Sequence, residues 1–326
     1  MKFVFTILLF LCVITGIIAQ TERQILPADM KQMTVVTQPP TLPKGFFRVG
    51  ESLSYGLISG NIFDEKGKRI FLSESDYAWA TAVQSETYFH YGINNRLETG
   101  ILAHCNFEHE QLGSITYVPL IDTVMNPSAI LKGRGLNQVQ LKLLYQIIPQ
   151  NKDRLSSLTG IFELSIPGGR RNPRNIIDRD HYDLPVSSGA YSTGAFLIYK
   201  KIQYPFSYSF ELGYTYFFSA KRMFEPGAPE KSFKMGNSYG GSAGVNFHLN
   251  EWIALTNEVI FLKFDSNTIE GKKEPGFSKK RYFVEYSGYL VFHVKHFRIS
   301  EGIEVPVFGK NWGTDPMYFH RLEYLF

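Results

Sequence analysis

The chain has 326 residues and a formal net charge of +4, too small an excess to argue for nucleic acid, and no basic helix or aromatic-basic motif accompanies it. Aromatic residues make up 15% of the sequence, with 19 Tyr and 27 Phe, and other apolar residues are spread thinly, which favours strands over helices. Of the two cysteines, Cys12 lies in the apolar leader, leaving Cys105 alone, so an exported form of this chain has no internal disulfide.

At the amino end, Lys2 precedes the apolar run FVFTILLFLCVITGII and then Ala19-Gln20. A basic tip, a greasy middle and a small residue are the marks of a cleavable secretory signal, expected here over residues 1–19 with cleavage near Ala19. Residues 20–44 are polar, proline-bearing and without a period, and read as a flexible periplasmic extension. No later stretch approaches the run of about 18 apolar residues that a spanning helix needs.

From Gly45 onward the pattern changes to alternation. Leu97, Thr99, Ile101, Ala103, Cys105 and Phe107 share one face, and Glu98, Leu102, His104 and Asn106 the other, because side chains two apart project to the same side of a strand. Val139, Leu141, Leu143, Tyr145 and Ile147 oppose Gln138, Gln140, Lys142 and Gln146; Phe210, Leu212, Tyr214 and Tyr216 oppose Glu211, Gly213 and Thr215. The same reading applies near 237–249 and 281–294, and a helix would scatter these apolar positions around its circumference. Twelve strands are expected, near 46–59, 77–91, 96–107, 136–148, 155–167, 189–202, 208–219, 237–249, 252–265, 281–294, 297–307 and 317–326.

Their connections alternate in length. GINN (92–95), PQNKDR (149–154), QYPFS (203–207), NE (250–251) and KH (295–296) are tight turns, and long polar stretches lie between them. Such sorting is what a transmembrane barrel requires, with short periplasmic turns, long external loops and an even strand number. The fold class expected is therefore all-β, an antiparallel transmembrane β-barrel of twelve strands over residues 45–326, closed because lipid cannot satisfy an open edge. The last strand alternates Tyr318, His320, Leu322, Tyr324 and Phe326 on one face, with aromatic residues at its ends as in an interfacial girdle; His320 interrupts it. A terminal strand ending in Phe326 also resembles the signal by which the barrel assembly machinery recognises outer-membrane proteins of Gram-negative bacteria. That machinery, outer-membrane lipid and lipopolysaccharide are the expected partners.

The stretch PTLPKGFFRVGESLSYGLISG, with Leu42-Pro43-Lys44-Gly45, resembles the approach to the first strand in the outer-membrane family named for the meta-pathway of phenol degradation. GRGLNQVQLKLLYQII is similar to that family's glycine-rich approach to a mid-barrel strand, with Gly135-Leu136 matching and Asn137-Gln138 standing where Gly-Asp is expected. GIFELSIPGG, with Pro167 and Gly169, resembles a family strand that ends before a long loop. The resemblance spans about residues 41–326 and implies a channel or transporter for small hydrophobic or aromatic solutes.

The inward face is then expected to carry Glu98, His104, Gln140, Lys142, Glu163, Asn246, His248, Glu258, Glu285, His293, Arg298, Glu304 and Arg321. Both charge signs occur, so these groups either line a polar lumen or pair across a filled one. A non-transporting structural barrel is one alternative. A barrel lipid hydrolase is another, but Ser242 and His248 on one strand face are about 20 Å apart, and no His-x-Ser-Asn-Gly-like motif is present. In the loop RRNPRNIIDRDHYD, Arg170, Arg171, Arg174 and Arg179 are candidates for lipopolysaccharide phosphates, beside carboxylates that otherwise make a solvated mixed-charge loop. Neither a metal site nor a cofactor is indicated.

Overall fold

A computed structural model describes residues 41–58, 62–64, 66–70, 78–113, 130–150, 155–172, 174–175, 181–183, 185–224, 227–273, 280–310 and 312–326. The expected signal peptide and most of the extension after it lie outside the described residues.

Twelve long strands form the barrel: β1 Phe47–Ile58, β2 Ala78–Asn94, β3 Leu97–Gly113, β4 Gly135–Ile148, β5 Ser156–Pro167, β6 Ser192–Gln203, β7 Phe206–Phe217, β8 Ser238–His248, β9 Ile253–Phe264, β10 Arg281–Val294, β11 Phe297–Lys310 and β12 Met317–Leu325. Each pairs antiparallel with its neighbours in sequence, and β1 pairs with β12, so the sheet closes and has no edge. At that seam the Phe47 amide donates to the Phe326 carbonyl at 2.7 Å and the Phe326 amide to the Phe47 carbonyl at 3.0 Å, with the two rings stacked at 5.4 Å.

The alternation read from the sequence sorts the faces as expected. Phe162, Leu212, Phe210 and Tyr318 project outward and remain more than half exposed, an apolar surface too large for a protein bathed in water. Glu98, Ser207, His248, Ser287 and Ser300 project inward and are almost fully buried. Phe47, Tyr91, Phe206, Phe247, Tyr324 and Phe326 cluster in ring contacts where the strands meet the short turns, as the girdle of a membrane barrel does. This is the fold of an outer-membrane β-barrel.

Three differences from the sequence reading have physical causes. First, β2 and β3 run to Asn94 and Gly113, past the ends expected at 91 and 107, so the turn falls at Asn95-Arg96 rather than over 92–95; bulges between Val83 and Gln84 and between Gly92 and Asn94 absorb the change of register. Second, parts of the long connections form small sheets above the barrel. Ile62–Phe63 pairs with Arg69–Ile70 and Trp312–Gly313, and Ala220–Arg222, Lys231–Lys234, Thr268–Ile269 and Lys272–Lys273 form a second sheet. Third, residues 41–44, read as part of a loose extension, fold into the turn end. Leu42 is only 2% exposed, and the Gly45 amide donates to the Gly92 carbonyl at 2.8 Å.

Candidate functional site

The interior is layered from the turn end upward. Glu98 on β3 is 1% exposed and accepts from the Leu42 amide at 2.7 Å and from Arg48 Nη2 at 2.8 Å, with His90 Nδ1 at 2.6 Å. A buried carboxylate held by three partners is strongly anchored, and here it fixes the segment from residue 41 to the turn end of β2 and β3. Nearby, Arg298 donates to Glu323 at 2.7 Å, while Arg321 interacts electrostatically with Tyr88, Glu323 and Glu86. The Tyr88 ring lies over Gly50 so closely that a side chain there would occupy its place, which is why a glycine stands in the middle of β1.

A third cluster sits on β7, β8 and β9 near the same end. Ser207 Oγ is 3.1 Å from His248 Nε2 and accepts from Asn246 Nδ2 at 3.0 Å; Asn246 Oδ1 accepts from the Thr256 hydroxyl at 2.6 Å. The serine next to His248 is therefore Ser207, on the neighbouring strand, and not Ser242. The pair has one element of a hydrolase site, but both residues are at most 2% exposed and no hydrogen-bond partner orients His248 Nδ1 among the described residues. It reads as a packed polar network.

Higher in the barrel, Lys142 donates to Glu163 at 2.7 Å across β4 and β5, and His104 Nδ1 lies 3.0 Å from Glu86. Glu258, Glu285 and Glu304 face inward from β9, β10 and β11, where Ser287 stands opposite both Glu258 and Glu304. Against this acidic wall, the inward positions of β3 to β6 carry Leu102, Leu144, Ile161, Phe196 and Ile198, and the Phe196 ring occupies the space left by Gly213. The inward face of β3 to β6 therefore sets this apolar strip among the polar groups Glu98, His104, Lys142 and Glu163.

Above these layers a cavity of about 630 Å³ opens toward the long loops. Its barrel wall includes Gln84, Asn106, Gln138, Gln140, Glu163 and Thr215, and its upper rim Phe217, Arg222, Phe224, Phe233, Met235 and Asn267. Arg222 is 4% exposed and its guanidinium lies 5.2 Å from the rings of both Phe224 and Phe233, a stacked arrangement that fixes the rim. Parity pointed to the wall, but the rim was not legible, because all its members except Phe217 at the end of β7 come from long connections without alternation.

The structure brings the thirteen inward candidates to one interior but not to one point. Glu98, His248, His293 and Arg298 lie toward the turns, Gln140 and Glu163 line the cavity, and Asn246 belongs to the serine network. Of the loop arginines, Arg171 donates to Glu230 at 3.0 Å, which the Asn172 amide also reaches, so that loop is tied to the 218–237 loop. Nothing is described for the Arg174 side chain, and Arg179 lies outside the described residues. No cluster of metal-ligating side chains occurs among the described residues.

No family model matches the sequence, and no curated protein matches it. Among solved structures, an outer membrane channel from Pseudomonas putida F1 superposes with a TM-score of 0.69 at 11% identity, over 89% of this chain and 100% of that one. The translocator domain of the autotransporter NalP from Neisseria meningitidis gives 0.44 at 9% identity, over 87% and 90%. The toluene transporter TodX of Pseudomonas putida gives 0.41 at 9% identity, again over 87% and 90%. The first likeness establishes a shared barrel architecture.

Proposed function

We propose that the protein is an outer-membrane channel that admits small hydrophobic or aromatic solutes from the long-loop side. The observation that carries this reading is the 630 Å³ cavity, walled by amides below and by Phe217, Phe224 and Phe233 above, which leads onto the apolar strip around Phe196. Aromatic and amide groups at a mouth recognise a small ring by stacking and by hydrogen bonds to its polar substituent. The shared architecture with a channel from Pseudomonas putida F1 supports it.

On this reading the inward charged residues divide between the cavity and the turn end. Lys142 and Glu163, beside the cavity, tune what passes; Glu98, Arg48 and Arg298, at the turn end, hold the lumen narrow. The protein is not an enzyme in this account, and Ser207 with His248 is structural. It reaches the outer membrane after loss of residues 1–19, inserts through recognition of the strand ending in Phe326, and meets lipopolysaccharide at the loops carrying Arg170 and Arg171.

The test is flux into proteoliposomes of benzyl alcohol and benzoate against glucose. Aromatic flux above the glucose rate, altered by Lys142→Ala or Glu163→Ala, is the expected result. A folded barrel passing none of the three solutes would leave a structural role as the better reading.

A further inference from the structure

The outer wall is not uniform. On β4 to β7 the mid-strand outward side chains include Leu143, Phe162, Leu197 and Leu212, all strongly exposed and all apolar. On β11, β12, β1 and β2 four adjacent polar side chains project outward instead. His320 Nδ1 is hydrogen-bonded to Glu301 on the next strand, and the Thr87 hydroxyl donates to Glu51 Oε2 at 3.1 Å. Glu301 stands opposite His320, Glu51 stands opposite Thr87, and Glu51 is the diagonal neighbour of His320, whose direct partner is Leu53. The Glu301 and His320 side chains are 53% and 46% exposed.

These groups sit well inside the apolar belt. Each lies several residues up its strand from Phe297, Phe326, Phe47 or the turn after Asn94, roughly 10–20 Å along a tilted barrel wall. The belt of such a barrel is about 25 Å tall. Ionisable side chains at that depth almost always face protein or trapped water and not hydrocarbon. Their concentration on one wall marks a covered surface.

We infer that a second copy of this chain covers it, in a two-fold dimer formed in the membrane through the outer faces of β11, β12, β1 and β2. A two-fold axis along the membrane normal between β12 and β1 keeps every group at its own depth and reverses the order around the wall. The row Glu301, His320, Glu51, Thr87 then meets Thr87, Glu51, His320, Glu301 of the other copy. Each carboxylate faces a donor: His320 meets Glu51, and Thr87 meets Glu301. This pattern is self-complementary, as an isologous contact must be. Leu53 and Leu322 flank the axis and supply its apolar centre.

The test uses the full-length chain in native outer membranes with Cys105→Ser as background. Leu322→Cys is placed near the axis and Leu212→Cys on the opposite wall, and each is treated with a thiol-reactive cross-linker. The expected result is a product of twice the chain mass from Leu322→Cys, in roughly tenfold excess over Leu212→Cys, falling by roughly tenfold when Glu51→Leu and His320→Leu are added. The heat-dependent gel shift of each variant verifies that the barrel still closes. Equal products at both positions, no product at either, or a Leu322→Cys product containing a different protein would overturn the second-copy reading.

Discussion

At the scale of single residues, Glu98 is the position on which most depends. Its parity was plain in the sequence, since Glu98 alternates with the outward Leu97 and Thr99. Its partners were not, because Arg48 and Leu42 stand on a distant stretch and only the registers of β1 against β2 and of β2 against β3 bring them together. Replacing it with alanine strands Arg48 without its carboxylate in a buried layer, at a cost of about 3–5 kcal/mol. The midpoint of the heat-dependent gel shift should fall clearly for Glu98→Ala and less for Glu98→Gln, which keeps an acceptor for the Leu42 amide. Ser207 was missed for the same reason: alternation assigns a face, whereas contact across β7 and β8 is a matter of register. The polar residues Glu51 and Glu301 on the outer face were also overlooked, hidden among apolar neighbours that satisfied the pattern.

Elements show a similar division. Long strands were legible because a dozen alternating residues cannot mimic a helix, but two-residue strands such as Ile62–Phe63 and Thr268–Ile269 carry no period at all. The segment 41–46 depends on Gly92, where an added Cβ would run into the Pro43 carbonyl oxygen. Gly92→Ala should therefore release this segment while leaving the strands paired, and faster proteolysis at Lys44 is the readout. The loops offer a pH test. Hydrogen bonding from Asn172, with the Arg171 guanidinium beside it, holds the Glu230 carboxyl below the usual carboxylate range. A lowered folded value means that the tie is present above that range and is lost as pH falls through the depressed value. Protection against hydrogen exchange in residues 218–237, taken relative to the intrinsic amide rate at each pH, should fall on acidification in the native chain, and Glu230→Gln should remove this pH response.

For the whole molecule, closure decides everything else. Strand number, the side of the long loops and the inward set were readable because a membrane barrel must alternate faces and must have no edge. The seam itself rests on local detail, including the ring contacts of Phe326 with Phe47 and Tyr324 at 5.4 and 5.2 Å. Phe326→Ala should weaken it by about 1 kcal/mol, seen as a lower midpoint of the gel shift with β-sheet content unchanged.

The same seam has a topological consequence. Phe47 and Phe326 exchange backbone hydrogen bonds, and the first and last strands are joined by the same kind of antiparallel ladder as the other neighbours. The ring therefore has no privileged starting point in its pairing. A short linker from Phe326 to Phe46, with new termini cut at Lys295-His296, gives a circular permutant with the same neighbours on every strand. Such a molecule would now end on β10 and separate two things that natural chain order combines, the stability of the closed ring and the proposed recognition of the strand ending in Phe326.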